Sequence, residues 1–302
     1  MLTRTLFKTK LHSNLLQTPF KSMASIADIK NLRSSTGSPI GECKNALEKF
    51  KGDFEKAKEW LREQGVAYAD KRTERSTAQG QIGMKVVNDN QTALMIEINC
   101  ETDFVAKTDM FKDGVKTYLD TLAKVEGLEI SLSEKDSEEA KEKFLSYSLQ
   151  SSLDPDAQSM TGSEGLTYLI AKTRENCNIG SIFRKTARED QKWGNYLHGS
   201  QAADLCKTGS LVLMNSTNSK VDLSALANTI AMHVVAMKPT FISQSEADES
   251  EEKVSKDQIL LNQELICPQN TDNLTVKAWI QKQEESHGAK ITIEEFNIFS
   301  CS

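Results

Sequence analysis

The stretch Ile82-Gly83-Met84-Lys85-Val86-Val87-Asn88-Asp89-Asn90-Gln91-Thr92-Ala93-Leu94-Met95-Ile96-Glu97-Ile98-Asn99-Cys100 decides the fold class. Ile82, Met84 and Val86 alternate with smaller or polar residues, Ile96, Ile98 and Cys100 alternate with Glu97 and Asn99, and Asn88-Asp89-Asn90 is turn chemistry. A period of two on both sides of such a turn predicts an antiparallel hairpin. Its second strand runs into Glu101-Thr102-Asp103-Phe104-Val105-Ala106-Lys107. A helix is predicted from about Thr108, carrying Phe111, Val115, Tyr118, Leu119 and Leu122 inward.

On the N-terminal side of the hairpin the period is helical. Ile26, Ile29 and Leu32, then Cys43, Ala46, Leu47 and Phe50, then Phe54, Ala57, Trp60 and Leu61 predict three short amphipathic helices over 26–36, 40–50 and 54–64. Gly37-Ser38-Pro39 separates the first two, Asp53 is placed to cap the third, and Gly65 is read as closing it. Some 40 residues in three helices make a small core, and a module of that size works by presenting a face to a partner. The following segment, 68–80, is polar and is read as a linker. Its Lys71, Arg72 and Arg75 are interrupted by Asp70 and Glu74 without interleaved aromatics, which is a solvated surface rather than a nucleic-acid site.

On the C-terminal side, acidic and Ser-rich Glu126 to Glu142 is expected to be an exposed insertion. A helix is predicted over 163–176, strands over 182–187, 193–198 and 210–215, and a helix over 223–237 that ends at Lys238-Pro239. An acidic linker is expected over 243–256, a strand over 259–266, a helix over 275–285 and a final strand over 291–298. Hairpins mixed with helices, without βαβ regularity, indicate an α+β fold.

Bulk composition limits the functions available to such a chain. Its 302 residues suffice for more than one domain, and a 26% charged fraction is ordinary for a folded protein. Residues 1–25 carry Arg4, Lys8, Lys10 and Lys21, with no acid before Asp28. Leu2, Leu6, Leu11, Leu15 and Leu16 fall about on one helical face, so this segment reads as a mitochondrial transit peptide and the expected location is the matrix. Setting those four cations aside leaves 33 of the 37 Lys and Arg against 43 Asp and Glu, about ten net negative charges. Direct binding of nucleic acid is therefore not expected. No apolar stretch approaches the roughly 20 residues that cross a bilayer, so no membrane association is expected. The six cysteines, at 43, 100, 177, 206, 267 and 301, show neither CxxC pairing nor histidines at ligand spacing. They read as small buried hydrophobes in a reducing compartment, with no metal or cofactor called for.

Thr102-Asp103-Phe104-Val105 is the informative spot for function, because a large aromatic sits beside a carboxylate where a strand leaves its sheet. Two readings stand open. Phe104 tucks under its own hairpin while Asp103 caps the next turn of chain, or both side chains face solvent and a partner. An enzyme reading needs Cys206 or Ser200 beside His198, and that spacing matches no nucleophile signature. Neither GxxxxGK[ST], GxGxxG nor HExxH occurs. No catalytic residue is assigned.

Five motifs in order resemble the elongation factor Ts family. Ile29-Lys30-Asn31-Leu32-Arg33 with Thr36-Gly37, Cys43-Lys44-Asn45-Ala46-Leu47 and Gly52-Asp53 is similar to its ubiquitin-associated-like N-terminal module. The run Glu97 to Lys107, with Thr102-Asp103-Phe104-Val105 at its centre, is similar to its signature. Glu175-Asn176-Cys177-Asn178-Ile179, Tyr196-Leu197-His198-Gly199 and Ile230 to Ala236 with Lys238-Pro239 continue the match. Only a short acidic link follows Ile242, which resembles mitochondrial members. The resemblance implies a three-helix module over 26–67, then a core of two α+β subdomains with antiparallel sheets, over 81–219 and 220–302.

It further implies a guanine-nucleotide exchange factor that binds elongation factor Tu in its GDP form as a 1:1 heterodimer and does no covalent chemistry. Phe104 would be a wedge driven into the GTPase near its magnesium site, with Asp103 as polar neighbour and Thr102 and Val105 in the same intrusion. Lys44 would touch the nucleotide-binding domain. His233 and Val234 would face a β-barrel domain of the partner, with Gly209 on the same surface, although a histidine on an apolar helix reads by itself as a core residue. Two alternatives remain: a partner that chaperones the GTPase with weak exchange, and a ubiquitin-binding adaptor.

Overall fold

The computed structural model describes residues 24–301 apart from 73, 131–133, 152, 156, 201, 250–253 and 269. The leader expected at 1–25 lies outside the described residues except for its last two. Contacts divide the chain into two compact units, with the division between Gln64 and Gly65.

The first unit contains α1 (Ile26–Thr36), α2 (Ile40–Lys49) and most of α3 (Phe54–Asp70). Ser25 caps α1 by accepting from the Asp28 amide, and Gly37 ends it at φ 70°, where a residue without Cβ adopts the left-handed conformation freely. Leu32, Cys43, Ala46, Leu47, Ala57 and Leu61 form the small core. Helix α3 continues past its predicted end. Gly65 is helical, and a Cβ there would come within 2.9 Å of the Ala171 methyl, so this glycine permits a close approach instead of a stop.

The second unit starts with the predicted hairpin, β1 (Gln79–Val87) and β2 (Thr92–Cys100), paired from Gln79↔Cys100 to Val87↔Thr92. Asn88, Asp89 and Asn90 all have φ between 54° and 60°, the left-handed region that Asn and Asp tolerate best after Gly. The chain continues through α4 (Asp103–Ala106), α5 (Asp109–Lys124), α6 (Glu134–Leu145) and α7 (Gly162–Thr173). Strands β3 (Cys177–Thr186), β4 (Gln191–His198), β5 (Leu205–Cys206) and β6 (Thr208–Ser216) lead to α8 (Leu223–Met237) and α9 (Gln244–Glu249). Helix α10 (Val276–His287) and β7 (Ile291–Ser300) complete the fold.

The strands make one sheet in the order β3-β2-β1-β5 and a second in the order β4-β6-β7, with antiparallel pairing throughout. Leu94, Ile96 and Ile98 of β2 pack with Phe111, Val115 and Leu119 of α5, whereas Ile82, Met84 and Met95 pack with Trp193, Leu211 and Phe299 of the second sheet. The outer face of that second sheet is covered by α8 and α10 through Val212, Ile230, Val234 and Trp279. Helices, sheet, sheet and helices therefore form successive layers, and the hairpin is buried on both faces, more fully than its alternating pattern suggested.

Three expectations need correction. The stretch 259–266 is no strand: turns of 3-10 helix at Lys256–Gln258 and Leu260–Asn262 replace it, and Ile259, Leu260 and Leu265 are buried from an irregular segment. The acidic 126–142 segment is not simply exposed, since Ile130 bridges to Arg184 and α6 inserts Phe144 beside Tyr118, ring centroids 6.4 Å apart. The link expected over 243–256 includes α9.

Candidate functional site

The register of β3 against β2 builds the site. Cys100 lies opposite Cys177, and the two residues that follow Cys100 therefore lie beside the two that precede Cys177. A bulge between Ile96 and Ile98 sets this register, with Gly180 where any Cβ would come within 2.5 Å of the Asn99 side-chain Nδ2. At the junction Glu175 accepts from both the Thr102 amide, at 2.9 Å, and the Thr102 hydroxyl, at 2.6 Å. Glu101 accepts from the Asn176 amide at 2.7 Å and pairs with Arg75 at 3.3 Å and Arg72 at 3.7 Å. The segment read as a solvated linker thus ties down the root of the turn.

From that root the chain makes one helical turn, α4. Thr102 is its N-cap, accepting from the Val105 amide. Ala106 is buried, its carbonyl accepting from Gln81 Nε2 at 3.1 Å, and Val105 packs against the core. Thr108 donates its hydroxyl to the Val105 carbonyl and caps α5. With both ends held, the middle residue faces solvent: Phe104 is 80% exposed, the most exposed of the large apolar side chains described. Asp103 beside it accepts from Lys107 Nζ at 2.6 Å, and that hydrogen bond holds its carboxyl below the usual range. Of the two readings open from sequence, the outward one is the structure's. Leaving such a ring in water forgoes roughly 2 kcal/mol of burial, which a docking partner would recover.

The other expected site residues lie elsewhere. Lys44 is on the surface of α2 in the first unit, 3.9 Å from Glu48, with over half its side chain exposed. His233 and Val234 are wholly buried in α8, and Gly209 is buried in β6, where a Cβ would meet Met84 Cε at 2.9 Å and the Tyr196 carbonyl at 3.0 Å. These three sit inside the protein, not on a contact surface, because α8 lies against the second sheet and Gly209 lets the sheets approach. His233 holds an irregular segment in place. Its Nδ1 accepts from the Ile266 amide at 3.0 Å, which puts the ring proton on Nε2, 2.9 Å from Gln263 Oε1. Ile266 itself is about half exposed.

Burial pushes His233 below its ordinary pKa, and the Ile266 N–H facing Nδ1 opposes a second ring proton as well. A depressed histidine pKa means that the unfolded chain takes the proton more readily. Stability from this group is present above pH ~6.5 and is lost as pH falls below it toward the folded value, with a slope of at most about 1.4 kcal/mol per pH unit. Urea unfolding between pH 7.5 and 5.5 is expected to show this loss, and His233→Gln is expected to flatten it. An unchanged pH profile in that variant would place the titrating group elsewhere.

Cys206 is buried and its thiol is pushed up to about 12, which denies it a thiolate at neutral pH. Ser200 donates its hydroxyl to the Ala202 carbonyl at 2.7 Å. The sequence reading missed Glu175, Gln81 and Arg75 as parts of the site. Glu175 belongs to a recognised motif, but nothing local signals its bond to a residue 73 positions away.

A family model described as "Elongation factor TS" matches residues 101–265, more than half of the chain, and one described as "Elongation factor Ts, mitochondrial, N-terminal" matches residues 9–69. A protein named "Elongation factor Ts" from Ehrlichia chaffeensis is 30% identical over 304 residues, 91% of this chain and 97% of that one. Proteins of the same name from Bartonella quintana and Clostridium novyi are similar as well. The first is 29% identical, with 91% of each chain covered, and the second 36% identical over 73% of this chain and 65% of the other.

Proposed function

Because the chain belongs to the elongation factor Ts family, we propose that it binds elongation factor Tu in its GDP form and promotes GDP release during translation elongation in mitochondria. The observation that carries this reading is Phe104, exposed on a turn anchored at both ends, with an ion-paired carboxylate beside it. Nucleotide affinity in such GTPases depends on magnesium bridging the phosphates and on switch elements ordered around them. A ring pressed into an apolar pocket beside the magnesium site displaces those elements and gains its own burial in return. By linkage, nucleotide lowers the affinity of the factor for the GTPase by the same ratio that the factor lowers the affinity for nucleotide. Exchange of this kind uses no acid, base or nucleophile in the factor.

Thr102, Asp103, Phe104 and Val105 form the intrusion, and Lys44 contacts the nucleotide-binding domain of the GTPase in a 1:1 complex. His233 and Val234 serve the partner surface from within, His233 by holding the segment that exposes Ile266. Gly209 serves it by allowing the two sheets to close. The basic, Leu-bearing leader and the family description of residues 9–69 as a mitochondrial N-terminal region support action in the matrix.

The test uses protein lacking residues 1–25 and mitochondrial elongation factor Tu loaded with a fluorescent GDP analogue. Substoichiometric protein is expected to accelerate GDP release, and the truncated form is expected to exchange as well as the full chain while failing import into isolated mitochondria. Release at the intrinsic rate would refute the exchange function, and import of the truncated protein would refute the leader.

A further inference from the structure

We propose that Glu175 is a positioning residue for exchange: its carboxylate fixes the N-terminal end of the Thr102–Val105 turn so that Phe104 is presented outward and rigid when the GTPase docks. This inference rests on reading Phe104 as the exchange wedge. A four-residue helix has no stability of its own, since the first turn fixes several dihedrals for a single hydrogen bond. It must be held at both ends. The C-terminal end has buried Ala106, bonded by Gln81, and the Thr108 cap. At the N-terminal end both hydrogen-bond donors of Thr102 go to Glu175, one to each carboxylate oxygen. Such charge-assisted bonds are the strong ones, and the hydroxyl bond has a second effect. With its proton committed to Glu175, the Thr102 oxygen keeps its lone pairs for the Val105 amide, which is the N-cap of the turn.

Glu175 is itself held. The hydroxyl of Thr173 accepts from its amide at 3.3 Å and is itself fixed by donating to the Leu169 carbonyl at 2.7 Å. The preceding Arg174 takes the left-handed conformation with its guanidinium 4.5 Å from the Tyr68 ring centre, and its carbonyl accepts from the Tyr68 hydroxyl at 3.2 Å. The carboxylate is thus aimed at Thr102 by a fixed backbone, and both its oxygens are engaged there. Its part in exchange is to set where Phe104 points.

The test titrates wild type, Glu175→Ala, Glu175→Gln and Thr102→Val against GTPase loaded with fluorescent GDP, reading maximal release rate and half-saturating concentration separately. Glu175→Ala is expected to lower the maximal rate about tenfold while moving the half-saturating concentration less than about threefold. Glu175→Gln, which keeps one oxygen acceptor, is expected to recover part of the rate. In a Phe104→Ala background Glu175→Ala is expected to cost nothing further, because it acts through the ring. Amide hydrogen exchange over 102–106 is expected to quicken in Glu175→Ala and in Thr102→Val, with the unfolding midpoint as the control for global damage. Should Glu175→Ala fail to fold, Thr102→Val reads the same bond from the other side. An unchanged maximal rate, or an equal loss in the Phe104→Ala background, would overturn the role of Glu175. If Phe104→Ala itself releases GDP normally, the wedge reading fails instead, and the hydrogen-exchange result still decides whether Glu175 holds the turn.

Discussion

Truncation of Phe104 to alanine is expected to slow stimulated GDP release about 30-fold, because it removes about 2 kcal/mol of burial that is gained only as the nucleotide site is forced open. Aromatic side chains at the centre of an interface commonly carry a share of this size. Binding to the GDP-loaded GTPase, whose nucleotide site is still closed, is expected to weaken less than release slows. The ring is 80% exposed in the free protein, so the substitution is expected to change unfolding free energy by no more than about 0.5 kcal/mol. Stopped-flow release of a fluorescent GDP analogue, equilibrium binding and a thermal melt measure the three quantities. A release rate equal to that of the parent, from a folded variant, would leave no place for a wedge.

Gly194→Ala is expected to lower stability by about 3 kcal/mol and the melting temperature by about 5–10 °C. Gly194 lies in β4 beneath α8, and a Cβ there would come within 2.5 Å of the Ala227 carbonyl carbon and of the Asn228 nitrogen. Both are backbone atoms of a helix and cannot rotate aside. Relief requires α8 to lift from the sheet, which would also strain the bond from the Asn195 amide to Asn228 Oδ1 at 2.8 Å. Differential scanning calorimetry reads the shift, and an unaltered midpoint would mean that the helix moves without cost. Because α8 carries His233, the same lift is expected to loosen the Ile266 segment.

Much of the fold was legible because its signals are local. Helix α8 runs from Leu223 to Met237 as its apolar pattern and the following Pro239 required, and the hairpin turn fell on Asn88-Asp89-Asn90 because those residues accept positive φ. The stretch 259–266 misled for an equally physical reason. Its apolar residues fit a strand, but burial can be met by an irregular segment whose polar groups are satisfied elsewhere, here by His233 and by Gln263, which donates to the Asp257 carbonyl. The one-turn helix was identified by resemblance as a tip, while periodicity alone left Phe104 free to point inward.

Sequence by itself determined the helical module, the hairpin, the α+β class and the aromatic–carboxylate turn, since period, caps and turn residues act over a few positions. Tertiary structure alone decided that Phe104 faces solvent, that His233, Val234 and Gly209 are interior, and that Glu175 grips Thr102. Each of those outcomes depends on groups far apart in the chain that meet only after β3 has paired with β2 and the two sheets have closed, and no local pattern encodes such a meeting.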